Sequence, residues 1–222
     1  MDIYPPGVRS RKIENINGLN MHVLEAGYDN CENKQCLVLL HGFPELAYSW
    51  RKVLLPLADA GYYVIAPDQR GYGYTEGWND NFEGDISEYE ITNLVKDIIS
   101  LIFSTGRNSI DCLIGHDFGS IVAAHATLIR PDIFKAVVLM SAPFEGVPSI
   151  DFEPKEDIID VHKDMASLSK PRKHYQWYYS TDQANSDMIN SKQGLKNFLR
   201  AYYHVKSGDW EGNKPFKLKG WE

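Results

Sequence analysis

Four short apolar runs constrain this chain more than any other feature. They begin the stretches "CLVLLHGF" (36–43) and "YYVIAPDQRG" (62–71) and lie within "IDCLIG" (110–115) and "FKAVVLMSAP" (134–143). Each is too short for a buried helix and has no polar alternation. Such runs are strands buried on both faces, as in a parallel sheet. Helical segments separate them. One carries Trp50, Val53, Leu54 and Leu57 and closes at Gly61. A second opens on a Ser87/Glu90 capping-box pattern, aligns Ile91, Leu94, Val95, Ile98 and Ile102 on one stripe, and ends at Gly106. The third, "FGSIVAAHATLIR" (118–130), is apolar on most sides, predicts packing against the middle of the sheet, and stops at Pro131. Its His125 is expected to be a satisfied core histidine.

Ahead of these, "KIENINGLNMHVLEAG" (12–27) reads as two strands about the turn Asn17-Gly18. Strands alternating with helices predict an α/β fold, a mostly parallel sheet with helices on both faces, over residues 1–144. After Phe144 strand signals cease. Residues 145–222 read as a second, helical region, with helices over 155–168, 175–180 and 195–205.

The apolar fraction is 43% and the net charge is -7. That charge argues against a nucleic-acid partner or an anionic membrane surface. The cluster Lys170, Arg172, Lys173 reads as a solvated face. No apolar run is long enough to span a bilayer, and "MDIYPPGVRSRK" has no apolar signal region. Cys31, Cys36 and Cys112 lack metal-like spacing and suggest free thiols in a reducing compartment, with Cys112 in the core. The expectation is a soluble, cytoplasmic protein. Nothing in the sequence specifies its oligomeric state.

The third run leads into "GHDFGS" (115–120). A carboxylate between two glycines, where a strand turns into a helix, is costly to desolvate unless it is paired or has a task. Asp117 could be only a helix N-cap. The spacing favours a nucleophile elbow, G-x-Nu-x-G, with Asp as the nucleophile. Gly115, Gly119 and Ser120 supply the small neighbours that a sharp turn needs. Two more loops leave strand ends on the same side of such a sheet: His41-Gly42-Phe43-Pro44 and Asp68-Gln69-Arg70-Gly71.

These pieces, "HGFPE" (41–45), "SWR" (49–51), "PDQRGYG" (67–73), "GHDFGS" and "YQWYY" (175–179), resemble the epoxide hydrolases of the α/β-hydrolase superfamily, in order and spacing. The resemblance runs from about Ile13 to the end of the chain. It implies an α/β-hydrolase fold followed by the start of a helical cap. It implies that Asp117 attacks an epoxide carbon to give an alkyl ester, which water hydrolyses to a diol. The backbone N–H groups of Phe43 and Phe118 would form the oxyanion hole. Tyr175 matches the segment carrying the first of two cap tyrosines that donate to the ring oxygen, although it could also pack against Tyr179. Tyr178 and Tyr179 are read as packing. His41, Gly42, Pro44, Gly115, His116 and Gly119 would support the elbow and loop. Asp68 and Arg70 match the D-x-R-G-x-G loop, with a structural ion-pair role. No metal or organic cofactor is implied. The substrates would be a small hydrophobic epoxide and water.

The family's acid and base histidine follow later strands, and none of the seven histidines here stands in that place. The resemblance therefore implies a truncated chain lacking the last strands and helices, about a hundred residues, with slow turnover or none. The last strand would be an open sheet edge. Two alternatives stay open. Haloalkane dehalogenases share the Asp elbow, but Phe43 and Phe118 offer no side-chain donor to a halide. A non-catalytic relative could bind a small hydrophobic ligand. A serine esterase of the elbow type is excluded, because the chain contains no G-x-S-x-G.

Overall fold

The computed structural model describes residues 3–144, 146, 160–172 and 175–212, with the side chains of Val161 and His162 left aside. The chain divides into two units, Met1–Pro148 and Ser149–Glu222.

The first unit is built on six strands: β1 (Arg9–Ile16), β2 (Leu19–Ala26), β3 (Cys36–Leu40), β4 (Tyr63–Pro67), β5 (Cys112–His116) and β6 (Val137–Met140). Their order in the sheet is β1-β2-β4-β3-β5-β6. β1 and β2 form the expected antiparallel hairpin, and β2 joins β4 antiparallel. The pairs β3/β4, β3/β5 and β5/β6 are parallel.

The apolar runs are two-sided because each face has its own cover. From β3, Cys36, Val38 and Leu40 enter one core cluster, with Leu94, Ile98 and Leu101 of α2 (Ile91–Ser104) and Val122 and Ala126 of α3 (Phe118–Ile129). Leu37 and Leu39 enter the other, with Trp50 and with Leu54 of α1 (Leu54–Asp59). The two-residue period of the strand sends alternate side chains to opposite layers.

The structure corrects five expectations. The segment around Trp50 is a 3-10 helix, Ala47–Lys52, that breaks before the short α1. The Ser87/Glu90 capping box does not form. Asp85 caps a separate 3-10 turn, Ile86–Tyr89, by accepting from Ser87 N–H, and α2 begins only after Glu90. The apolar run of β6 is not covered on both faces: Val137–Met140 are all more than a third exposed, because among the described residues β6 is the open sheet edge expected of the last strand. His125 lies half-buried on α3, its Nδ1 2.8 Å from Ile121 O and its ring edge-on to Phe144, outside the core clusters. Cys112 is likewise only partly buried.

The described part of the second unit is helical: α4 (Val161–Ser167), α5 (Tyr175–Tyr179), α6 (Gln183–Ile189) and α7 (Leu195–Lys206). α6 was not anticipated. Residues 155–159 of the expected first helix and Lys173 lie outside the described residues. No helix among the described residues is long and apolar enough to cross a membrane.

Candidate active site

The register Leu40↔Gly115 brings the C-terminal ends of β3 and β5 side by side. The loop 41–45 therefore faces the turn from β5 into α3. The approach is close enough to exclude side chains. A Cβ on Gly42 would stand 2.4 Å from Asp117 Cβ, one on Gly115 would stand 2.3 Å from Gly119 O, and one on Gly119 2.4 Å from Leu40 O.

Asp117 itself sits at φ 53, ψ -121. A non-glycine residue there stores strain of about 1–3 kcal/mol, and such strain persists only where the surroundings over-determine it. They do so here. Asp117 N–H donates to Met140 O at 2.9 Å and Ser120 N–H donates to Asp117 O at 2.9 Å. The Ser120 hydroxyl lies 2.7 Å from Gly115 O and 2.8 Å from Met140 O, and accepts from Met140 N–H at 3.0 Å. β6 thus pins the elbow from the far side.

The Asp117 carboxylate makes no capping bond to α3. Its Oδ1 instead accepts from Phe43 N–H at 3.0 Å. Phe118 is the first residue of α3, so its N–H has no intrahelical acceptor. One backbone donor, Phe43 N–H, thus holds a half-buried carboxylate, and Phe118 N–H is free of the helix ladder at the next residue.

His41 is fully buried and braces the loop. Its Nε2 accepts from Gln69 N–H at 3.1 Å, which places the proton on Nδ1, 2.9 Å from Gly42 O. Burial, outweighing that backbone bond, holds the imidazole below its ordinary pKa and keeps it neutral. Gln69 Nε2 also donates to His41 O at 2.6 Å, and the Tyr72 ring stands edge-on at 4.8 Å. Burial first, and the nearby Asp117 charge second, push the Tyr72 phenol up to about 12. It stays protonated beside the carboxylate. His116 pairs through Nδ1 with Glu45 Oε2 at 3.0 Å, and the same oxygen lies 3.5 Å from Gly42 N. The Phe43–Pro44 peptide is cis, and Glu45 N–H donates to Gly42 O across it.

Asp68 and Arg70 do form structural pairs, though each with its own partner. Asp68 accepts from Ala47 N–H at 2.8 Å and Tyr74 N–H at 3.0 Å, and meets His22 Nδ1 at 2.7 Å. Arg70 grips Asp97 with two bonds of 2.9 and 2.8 Å and Glu88 with one of 2.9 Å. Sequence reasoning missed Glu45, Gln69, Tyr72, His22 and Asp97 as partners. Glu45 and Tyr72 were visible inside the quoted motifs. Asp97 was detectable as a polar residue on the apolar stripe of α2.

Tyr175 belongs to the second unit. It is 47% exposed, edge-on to Tyr179 at 6.0 Å, with Lys206 Nζ 5.3 Å from its ring centroid. Tyr178 does more than pack: its hydroxyl donates to Asp187. Among the described residues no group of three or more His, Cys, Asp or Glu side chains is placed to hold a metal ion.

A family model described as the alpha/beta hydrolase fold matches residues 35–189. Epoxide hydrolase A of Mycobacterium tuberculosis is 39% identical over 137 residues, covering 62% of this chain and 40% of the relative. Epoxide hydrolase B of the same organism is 32% identical over 205 residues, covering 89% and 54%. The solved structure of potato (Solanum tuberosum) epoxide hydrolase I superposes with a TM-score of 0.68 at 29% identity, covering 89% of this chain and 56% of that one. The chain thus spans about half, or less, of the length of these relatives.

Proposed function

The chain belongs to the α/β-hydrolase fold family, and we propose that its elbow opens epoxides through a covalent ester on Asp117. The observation that carries this reading is the hydrogen bond from Phe43 N–H to Asp117 Oδ1. It leaves Oδ2 as the attacking oxygen. A carboxylate is anionic at neutral pH and needs no base to displace the oxygen of a strained ring. The C–O bond forms at Oδ2, the ring C–O bond breaks, and the alkoxide takes a proton. The resemblance to the epoxide hydrolases assigns that proton to a tyrosine phenol, for which Tyr175 is the sequence candidate. The ester's carbonyl oxygen is then Oδ1, already held by Phe43 N–H. Phe118 N–H is the second donor for the charge that builds there when water adds.

Water addition also needs a general base. His41 is committed to Gln69 and Gly42, and His116 to Glu45. No described histidine is hydrogen-bonded to Asp117. We therefore assign ester formation to these residues and expect slow or no turnover from the 222-residue chain. The substrate class is a small hydrophobic epoxide, with water as the second substrate. Epoxide hydrolases among the relatives support this reading over dehalogenation.

The test is the intact mass of the purified chain after incubation with styrene oxide. The expected result is a stable gain of one substrate mass, absent in Asp117→Ala. Steady diol release would overturn the turnover expectation. Halide release from a bromoalkane without reaction at an epoxide would move the assignment to dehalogenase chemistry. Reversible binding with no adduct, in a folded chain, would make it a binding protein.

A further inference from the structure

A second set of reactive groups lies apart from the elbow, on the other end of the sheet order. Ser10 is exposed on the edge strand β1 and pairs with Leu24 of β2. Side chains two residues apart diagonally across such a pair share one face, which brings His22 beside it. Ser10 Oγ is 2.8 Å from His22 Nε2, and His22 Nδ1 is 2.7 Å from Asp68 Oδ2.

The order is nucleophile, base, orienting acid. Asp68 is 2% exposed and His22 5%. Burial works to raise the Asp68 pKa, but the bonds from His22, Tyr74 N–H and Ala47 N–H outweigh it and hold the carboxyl below its ordinary range. An ionised carboxylate only accepts, so in the neutral imidazole the proton sits on Nδ1 and the Nε2 lone pair faces the Ser10 hydroxyl. A hydroxyl in hydrogen-bond reach of a base that a third group orients is the general signature of an activated nucleophile.

A binding place adjoins it. A cleft of about 380 Å³ is lined by Tyr4, Leu24, Leu46, Tyr48 and Tyr74, with His22 and Asp68 in its wall. Of these, His22 hydrogen-bonds the Ser10 hydroxyl, and the Tyr4 ring centroid stands 6.5 Å from that of the His22 ring. Burial lifts the Tyr4 phenol above its usual range, so it remains a donor.

We propose that Ser10, His22 and Asp68 form a second nucleophilic site, which takes acyl groups from small esters with an apolar or aromatic part. Ser10 Oγ attacks the ester carbonyl and its proton passes to His22 Nε2. The Tyr4 hydroxyl donates to the developing oxyanion. The bond to the leaving oxygen breaks, His22 returns the proton to that oxygen, and Ser10 carries the acyl group. Water then attacks the acyl carbon and gives one proton to His22, the Ser10 Oγ–acyl bond breaks, Oγ takes that proton back from His22, and the carboxylic acid leaves.

The experiment uses the full chain in an Asp117→Ala background, so that the elbow cannot contribute. The probes are p-nitrophenyl butyrate and a fluorophosphonate. The expected result is a burst of one equivalent of p-nitrophenolate, with one butyryl group mapped to Ser10. His22→Gln should slow acylation by about 10²–10⁴-fold, and adding Ser10→Ala should abolish it with Tm unchanged. Acylation that survives Ser10→Ala, or none in a chain shown by circular dichroism to be folded, would overturn the proposal. The three residues would then only tie β1 and β2 to the Asp68 loop.

Discussion

Phe43 N–H and Asp117 Oδ1 are 3.0 Å apart, although 74 residues separate them in the chain. The contact exists because β3 and β5 end level with each other and because Gly42 has no side chain. One hydrogen bond thus distinguishes the two carboxylate oxygens: Oδ1 is held by the loop backbone.

Gly42→Ala tests that arrangement. The new Cβ would have to displace Asp117, whose own Cβ it would meet at 2.4 Å. Overpacking of this kind costs about 1–3 kcal/mol, and a shift of about 1 Å at a reacting group can cost about 100-fold in rate. The expected result is a lower urea midpoint and adduct formation with styrene oxide slowed about 100-fold. An unchanged rate would mean that the Phe43–Asp117 contact is not what positions the nucleophile.

Asp117→Gly and Asp117→Ala both remove the carboxylate, but only Gly relieves the backbone. At φ 53, ψ -121 an alanine Cβ keeps the strain. Asp117→Gly should be the more stable of the two by about 1 kcal/mol, measured by urea denaturation. Equal midpoints would show that the elbow stores no strain at this residue.

Arg70→Ala should be the most damaging of these substitutions. Its side chain is 4% exposed and that of Asp97 3%. Removing the guanidinium leaves a buried carboxylate held by Asn17 Nδ2 alone among its side-chain donors. The expected loss is about 3–5 kcal/mol. A loss below about 1 kcal/mol would mean that Asp97 takes up a proton at little cost.

Acid should destabilise the chain in two stages. His41 is a base whose folded pKa lies below its ordinary 6.5, chiefly through burial. Its contribution is complete above about 6.5 and is lost as pH falls through the lower folded value. Asp68 and Glu25 lie below their ordinary values of 3.8 and 4.5. Burial opposes this in both, but is outweighed by His22 and backbone N–H groups for Asp68, and by Arg11 and Tyr63 for Glu25. Their contributions hold above those values and vanish as pH falls through the folded ones. Asp97, raised mainly by burial despite Arg70, acts oppositely and returns some stability as it protonates. Urea midpoints should fall below about pH 6.5 and more steeply below about pH 4.5. His41→Gln should lack the upper limb; if it keeps that limb, another group titrates there.

Much of the fold was legible because its signals are local. The apolar runs read as strands, and the hairpin turn Asn17-Gly18 fell between β1 and β2. The capping box failed for a local reason too: Asp85, two residues before Ser87, took the Ser87 N–H first. The run of β6 reads as buried because an apolar strand shows the same pattern whether or not a neighbour covers it, while its place at the open sheet edge was expected.

The sequence by itself determined the α/β class, the elbow around Asp117 and the loops that face it. Those depend on side-chain period and on glycine, which act over a few residues. Only the tertiary structure decided which groups meet: Phe43 with Asp117, His116 with Glu45, Asp68 with His22 rather than Arg70, and Ser10 with His22. These pairs are set by strand order and register, which bring together residues that no local pattern links, in places where burial leaves each polar group few partners.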